Sequence, residues 1–151
     1  PTTTSTPTSG STSTPTPTPT PTPLSPLGFY TVAPCRLADT RDPAGPFGGP
    51  SLPAGASRDF TFVGNCGIAP GATAVSLNVT VVNPTALGFL TLFPQGSPIP
   101  LASTVNYRAG QIRGNNAIVP VGTGGGISVF SGQGSGTTDV IIDVNGFFIS
   151  P

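Results

Sequence analysis

Clusters of glycine and proline divide the chain from residue 42 onward, and this division limits what the chain can fold into. The clusters read DPAGPFGGP, APGA, NPTALG, PQGSPIP, RAGQ, GTGGG and SGQGSG. Glycine and proline interrupt helices and central strands, so each run between two clusters is short. No stretch of about 12 residues combines helical periodicity with capping residues. The chain is therefore suited to short strands joined by turns.

The runs between the clusters alternate apolar and polar residues with a period of two, as in VSLNVTVV and TTDVIIDVNGFF. Such alternation is typical of strands with one buried face. We predict eight strands, near 29–33, 58–63, 73–82, 88–93, 102–107, 115–121, 127–131 and 138–148. Their regular spacing predicts an all-β fold, an antiparallel β-sandwich with jelly-roll-like winding.

The apolar members of these runs are the expected core. They are Val75, Leu77, Val79, Val81, Leu90, Leu92, Ile118, Val129, Ile142 and Val144. A folded part of about 125 residues can bury about two-thirds of its unfolded surface. The sequence therefore predicts a core that needs no metal ion.

The first 23 residues have a different composition, with 11 Thr, 4 Ser, 7 Pro and 1 Gly. Alternating Thr-Pro favours an extended polyproline-II-like rod, which over this length reaches about 70 Å. We therefore predict an arm over residues 1–27 and a sandwich domain over residues 28–151. Ser/Thr-rich sequence with proline is also typical of O-glycosylated stalks, and a bare disordered spacer is the alternative. The predicted glycosylation sites are Thr2, Thr3, Thr4, Thr6, Thr8, Thr12, Thr14, Thr16, Thr18, Thr20 and Thr22.

Charged residues are scarce, with five Arg, five Asp and no Lys, Glu or His, so the formal net charge is zero. They make up 7% of the chain, where about 25% is ordinary. Nucleic-acid binding is not expected, because neutralising phosphates needs a basic patch. No apolar run approaches the roughly 20 residues of a membrane span. So little charge resists association weakly, and we expect glycans or copies of the protein to cover the surface.

Cys35 and Cys66 are the two cysteines of the chain. In a Thr/Ser/Pro/Gly-rich chain they indicate a secreted or cell-surface protein with one disulfide, and two buried thiols are the alternative. The chain begins at Pro1 without a signal peptide, and we expect a processed or truncated product.

The residue types exclude several chemistries. Without His, a Ser-His-Asp triad, a Cys-His dyad and imidazole metal ligation are excluded. Asp39 and Asp42 flank Arg41, and we interpret them as an ion-paired brace for the following loop, with a glycosidase carboxylate pair as the alternative. Asp139, Asp143 and Asn145 are too few for Ca²⁺, which takes six to eight oxygens, and are expected on a polar outer face. We expect no catalytic residue, metal site or cofactor.

Apolar residues between the arm and the domain are candidates for contacts between subunits. Leu24, Leu27 and Phe29 lie in the segment LSPLGFYTVA, which could add as a strand to a neighbour's sheet edge or pair within its own domain. Phe47, inside PAGPFGGP, could fill a neighbour's groove or pack back over its own sheet. The NVT sequon at Asn78 is interpreted as a chance match on an exposed strand face.

Four segments in order resemble a recurrent all-β domain of secreted and cell-surface bacterial proteins. They are FYTVAPCRLADTRDPAGPFGGPSLPAG, SLNVTVVNPTALGFLTLFPQGSPIPLASTVNYRAGQ, NNAIVPVGTGGGISVF and TDVIIDVNGFF, within about residues 29–148. The resemblance implies a β fold, an extracellular or cell-surface location and Thr/Pro-rich linkers. It implies no catalytic residue.

Three classes of function follow from these features. The leading hypothesis is a secreted, non-catalytic structural subunit that assembles with copies of itself into a glycosylated extracellular filament or surface layer. The alternative is an adhesin-like or carbohydrate-binding module on a glycosylated Thr/Pro stalk. An enzyme is the third class, and the missing residue types argue against it.

Overall fold

The computed structural model describes residues 25–151, and residues 1–24, with the predicted glycosylation sites, lie outside the described part. Nine strands form, with these bounds: β1 (Gly28–Asp39), β2 (Leu52–Pro53), β3 (Ser57–Thr61), β4 (Ala74–Val82), β5 (Gly88–Pro94), β6 (Val105–Tyr107), β7 (Arg113–Pro120), β8 (Gly126–Ser131) and β9 (Thr137–Ile149). Over residues 25–151 there is no helix that could cross a membrane.

The strands form two antiparallel sheets. The first has the order β1-β9-β4-β7, with short β2 paired to β9, and the second has the order β3-β8-β5-β6. The pairs are nested along the chain, because β1 pairs with β9, β3 with β8, β4 with β7 and β5 with β6. The predicted antiparallel β-sandwich is confirmed, and the jelly-roll-like winding within it stays a prediction.

The core lies between the two sheets and follows the period-two pattern. On β4, Val75, Leu77, Val79 and Val81 are fully buried, while the side chains between them are only half-buried. All the predicted core residues except one are buried. Sheet-on-sheet burial of this kind is what holds a sandwich together.

Ile118 is the exception, and its predicted core position is wrong. Its side chain is 63% exposed. In the register of β7 against β4, Ile118 lies opposite Ser76 and Val119 lies opposite Val75. Val119 therefore faces the core, and Ile118 faces outward.

β1 runs to Asp39, past the predicted end at residue 33. Its register against β9 shifts between Thr31 and Cys35, which lets the strand continue around Pro34 as an irregularity of the ladder. Beyond the shift, Cys35 forms a disulfide with Cys66, with 5.6 Å between the Cα atoms. The predicted disulfide is thus confirmed, and it ties β1 to the loop that precedes β4.

Candidate functional site

The start of β1 carries exposed apolar side chains along a sheet edge. Leu27, Phe29 and Tyr30 are 44%, 49% and 50% exposed. β1 is an outermost strand and pairs with β9 alone in its sheet. Residues 27–31 are called the β1 strip below. An exposed apolar stretch on an unpaired edge is typical of a contact surface.

The aromatic rings of the β1 strip pack on the end of β9. Phe29 lies with its ring centroid 4.8 Å from that of Phe148, and Tyr30 stacks on Phe147 at 5.6 Å. A Cβ atom on Gly146 would lie 2.5 Å from Cζ of Phe29, so the glycine lets this ring lie close to the sheet. The strip therefore pairs within its own domain and presents the outer sides of its rings.

The other predicted contact residues have different positions. Leu24 lies outside the described residues. Phe47 is partly buried and packs against the core of its own sandwich, and its carbonyl accepts a hydrogen bond of 2.9 Å from the Asp39 amide. Of the residues predicted for this surface, Leu27 and Phe29 are the exposed ones within the described part.

The opposite edge of the same sheet is β7. It pairs with β4 alone in that sheet, and most of its residues are exposed. It begins with Arg113, ends with Pro120 and presents Ile118 on its outer face. Charged residues and proline discourage pairing on edge strands, so the two ends of β7 are less suited to pairing than the residues between them.

Asp39 and Arg41 form an ion pair at the end of β1. The Nε atom of Arg41 donates to Asp39 Oδ1 at 2.8 Å, and Arg36 Nη1 lies 3.6 Å from Asp39 Oδ2. The hydrogen bond from Arg41 is the main cause that lowers the pKa of Asp39, against the opposing effect of burial. Asp42 takes part through its backbone, because its carbonyl accepts the amide of Gly49 at 2.9 Å. These contacts hold the turn that starts the proline-rich loop.

Arg58 also holds the proline-rich loop, a role that no sequence pattern predicted. Its guanidinium donates to the carbonyls of Gly45 at 2.6 Å and Pro50 at 3.0 Å. It lies 5.1 Å from the centre of the Phe60 ring, and its burial lowers the pKa of Arg58. Carbonyl oxygens and a ring face replace the carboxylate that usually accompanies such a charge.

Asp139 is buried, which corrects its predicted place on a polar outer face. Its carboxylate accepts hydrogen bonds from Thr40 at 3.0 Å, Ser51 at 2.6 Å and Asn83 at 3.1 Å. Thr40 and Ser51 belong to the connection between β1 and β2, and Asn83 belongs to the connection between β4 and β5. Buried polar groups need such partners, so the network is structural.

Asp143 stands on the outer face, where Arg36 Nε donates to its Oδ1 at 2.8 Å. Asp59, on β3, accepts hydrogen bonds from Ser128 and Gln95. Within residues 25–151 no three potential metal ligands of the His, Cys, Asp and Glu types come together.

The side-chain amide of Asn78, in the NVT sequon, donates to Thr80 Oγ1 at 3.0 Å, within the outer face of β4.

A cleft of about 910 Å³ opens beside the end of β6 and the start of β7. Its walls include Phe89, Asn106, Arg108, Gln111 and Arg113, and no carboxylate lines it. We call it the arginine cleft.

The backbone that presents the two arginines is well braced. The amide of Arg108 donates to the side-chain oxygen of Gln111 at 3.1 Å, and the amide of Gln111 donates to the carbonyl of Arg108 at 3.1 Å. Gly110 has a φ of +71° in this turn, and its amide donates to the carbonyl of Pro84 at 2.7 Å. The turn thus holds the backbone between Arg108 and the start of β7, where Arg113 lies.

The two arginines of the cleft differ from the other three. Arg36 and Arg41 are paired with aspartates, and Arg58 is bonded to backbone carbonyls. The guanidinium groups of Arg108 and Arg113 have no hydrogen bond or ion pair to the residues at 25–151. The sequence contained a signal for this, because no acidic residue occurs between Asp59 and Asp139.

The chain was compared with protein-family models and with curated proteins. No protein-family model matches the chain, and no curated protein matches it. The resemblance to a secreted bacterial β domain therefore stays an expectation from its motifs. The candidate sites rest on the geometry of the chain itself.

Proposed function

We propose that the protein is a secreted, non-catalytic structural subunit that assembles with copies of itself into an extracellular filament or surface layer. The observation that carries this proposal is the exposed aromatic edge formed by the β1 strip. The disulfide supports an oxidising, extracellular location. The near absence of charge supports close approach between copies.

The geometry of the first sheet favours an open polymer. Its strands alternate in direction from β1 to β7, because every neighbouring pair is antiparallel. A second copy that places its β1 beside β7 continues this alternation, with the β1 strip beside exposed Ile118. Such a contact joins two different surfaces, so each added copy leaves a new end for the next.

The Thr/Pro-rich arm is proposed to lie along the outside of the assembly and to carry O-linked glycans on its threonines. Its composition supports this role. Intact mass spectrometry of native protein tests it, with hexose-sized increments above the bare 15.0 kDa chain as the expected result. A native mass equal to the bare chain contradicts the glycan proposal and leaves assembly to be judged separately.

Assembly is tested with two matched threonine variants on edge strands. Thr31→Lys places a charge in the β1 strip, and Thr61→Lys places it at the end of β3 in the other sheet; both threonines are exposed. A lysine buried at an interface should raise the concentration needed for assembly by at least about tenfold. Electron microscopy and sedimentation should show fibres for the wild type and Thr61→Lys but not for Thr31→Lys. A wild type that stays monomeric, or a Thr31→Lys variant that polymerises normally, contradicts the proposal.

A second candidate function, a carbohydrate-binding or adhesin-like module, is favoured by the arginine cleft. The cleft combines a half-buried aromatic ring, Phe89, with the amide side chains of Asn106 and Gln111. Aromatic faces and amides are the groups that sugar rings and hydroxyls contact.

A further inference from the structure

We propose that the arginine cleft binds the carboxylates of an acidic polysaccharide, one built from uronic-acid-type sugars. This inference rests on the second candidate function, carbohydrate binding, and names its ligand class. It is carried by the placement of two arginines without carboxylate partners in one concave site.

The charges of the cleft select an anion. Arg108 and Arg113 are both exposed, and the cleft wall holds no aspartate to neutralise them. A guanidinium donates two parallel hydrogen bonds to a carboxylate, and this pairing is stronger than one between neutral groups. Two arginines on the two sides of one turn, lining one cleft, suit two carboxylates on the same ligand.

The rest of the cleft suits a sugar. Phe89 is half-buried, and a Cβ atom on Gly132 would overlap its ring, so the glycine provides the space in which the ring lies. Tyr107 closes the floor, with its hydroxyl donating to Gln133 at 3.0 Å. A fixed aromatic ring beside amides can contact both the C–H face and the hydroxyls of a pyranose.

A polysaccharide fits the charge of the whole chain better than a nucleic acid does. Nucleic acids present a dense row of phosphates, and proteins that bind them neutralise several at once. This chain has five arginines and no lysine, and three of those arginines are bound to partners within the fold. The two that face the cleft can pair with two carboxylates of a short sugar segment, and the chain has too few other free cations to neutralise the several phosphates that nucleic-acid binding involves.

The test compares oligogalacturonate with the same oligomer after full methyl esterification, which removes the charge and keeps the sugar. Isothermal titration calorimetry with the full chain at low salt should give at least about tenfold tighter binding of the acidic form. Arg108→Gln and Arg113→Gln should each weaken that binding about tenfold. Arg36→Gln, which removes an arginine outside the cleft, is the matched control and should bind like the wild type.

Three results overturn the inference. Equal binding of both oligomers, unaffected by the arginine variants, would leave carbohydrate binding intact and reject the acidic ligand. Binding of neither oligomer would reject both. Tighter binding of a single-stranded polynucleotide than of oligogalacturonate would assign the cleft to a different polymer. Unchanged melting temperatures of the variants will show that the fold is intact in each case.

Discussion

β1 and β7 are the two outer strands of the same sheet, yet they differ in chemistry. The segment 27–35, which leads into β1 and forms its first part, carries aromatic and aliphatic side chains and no charge, and the Cys35–Cys66 disulfide ties it to the domain. β7 begins with an arginine and ends with a proline, and backbone pairing with β4 holds it. Two unlike edges favour the proposed head-to-tail contact, and the charged end of β7 contributes Arg113 to the arginine cleft.

The largest expected effect on stability is that of the Cys35–Cys66 disulfide, which links β1 to the loop before β4. Replacing both cysteines, Cys35→Ser with Cys66→Ser, should lower the free energy of unfolding by about 3–4 kcal/mol, because the bridge closes a long loop in the unfolded chain. Urea denaturation followed by fluorescence measures it. The wild type under a reducing agent is the control and should show the same loss. A double variant as stable as the wild type would show that the disulfide does not stabilise the fold.

Two adjacent residues of β7, Ile118 and Val119, test which face of this edge strand is buried. Val119→Ala should cost about 2 kcal/mol, because Val119 is buried and its loss leaves a cavity. Ile118→Ala should change stability by less than about 0.5 kcal/mol, because Ile118 is exposed. Thermal and urea unfolding of both variants measure the difference. Equal costs would mean that the register of β7 on β4 is wrong.

Acid should lower the stability of the C-terminal end of β1, where Asp39 lies. The hydrogen bond from Arg41 lowers the pKa of Asp39 below that of the unfolded chain. Its contribution is therefore complete above the ordinary aspartate pKa and disappears as pH falls through the lowered value. Asp39→Asn should cost about 1 kcal/mol at neutral pH, and the difference from the wild type should shrink in strong acid. A difference that is constant with pH would contradict this assignment.

The smallest loss from breaking a polar contact is expected on the outer face beside the β1 strip. Arg36→Gln breaks the ion pair with Asp143. The side chains of Arg36 and Asp143 are 52% and 33% exposed. Exposed pairs contribute little, so stability should change by less than about 1 kcal/mol, and added salt should reduce the difference. Denaturation at low and high salt measures it. A larger, salt-independent loss would show that the pair supports the edge strand directly.

Much of the fold could be predicted because its signals are local. The alternation in VSLNVTVV and the glycine and proline clusters placed most strands near their observed positions. β2 could not be predicted, because Leu52 and Pro53 have no pattern of their own and are a strand only through pairing with Thr138 and Thr137. Ile118 was misplaced because it lies in a run of adjacent apolar residues, where alternation does not say which face is buried.

The sequence by itself determined the all-β class, the strand runs, the disulfide partners and the scarcity of charge, since each depends on residue type and local spacing. Tertiary structure alone decided that β1 is an open aromatic edge, that Asp139 is buried, and that Arg108 and Arg113 share a cleft. The physical reason is that these features depend on which strands become neighbours. Strand neighbours are chosen by the burial of the whole core and are not written in any one segment.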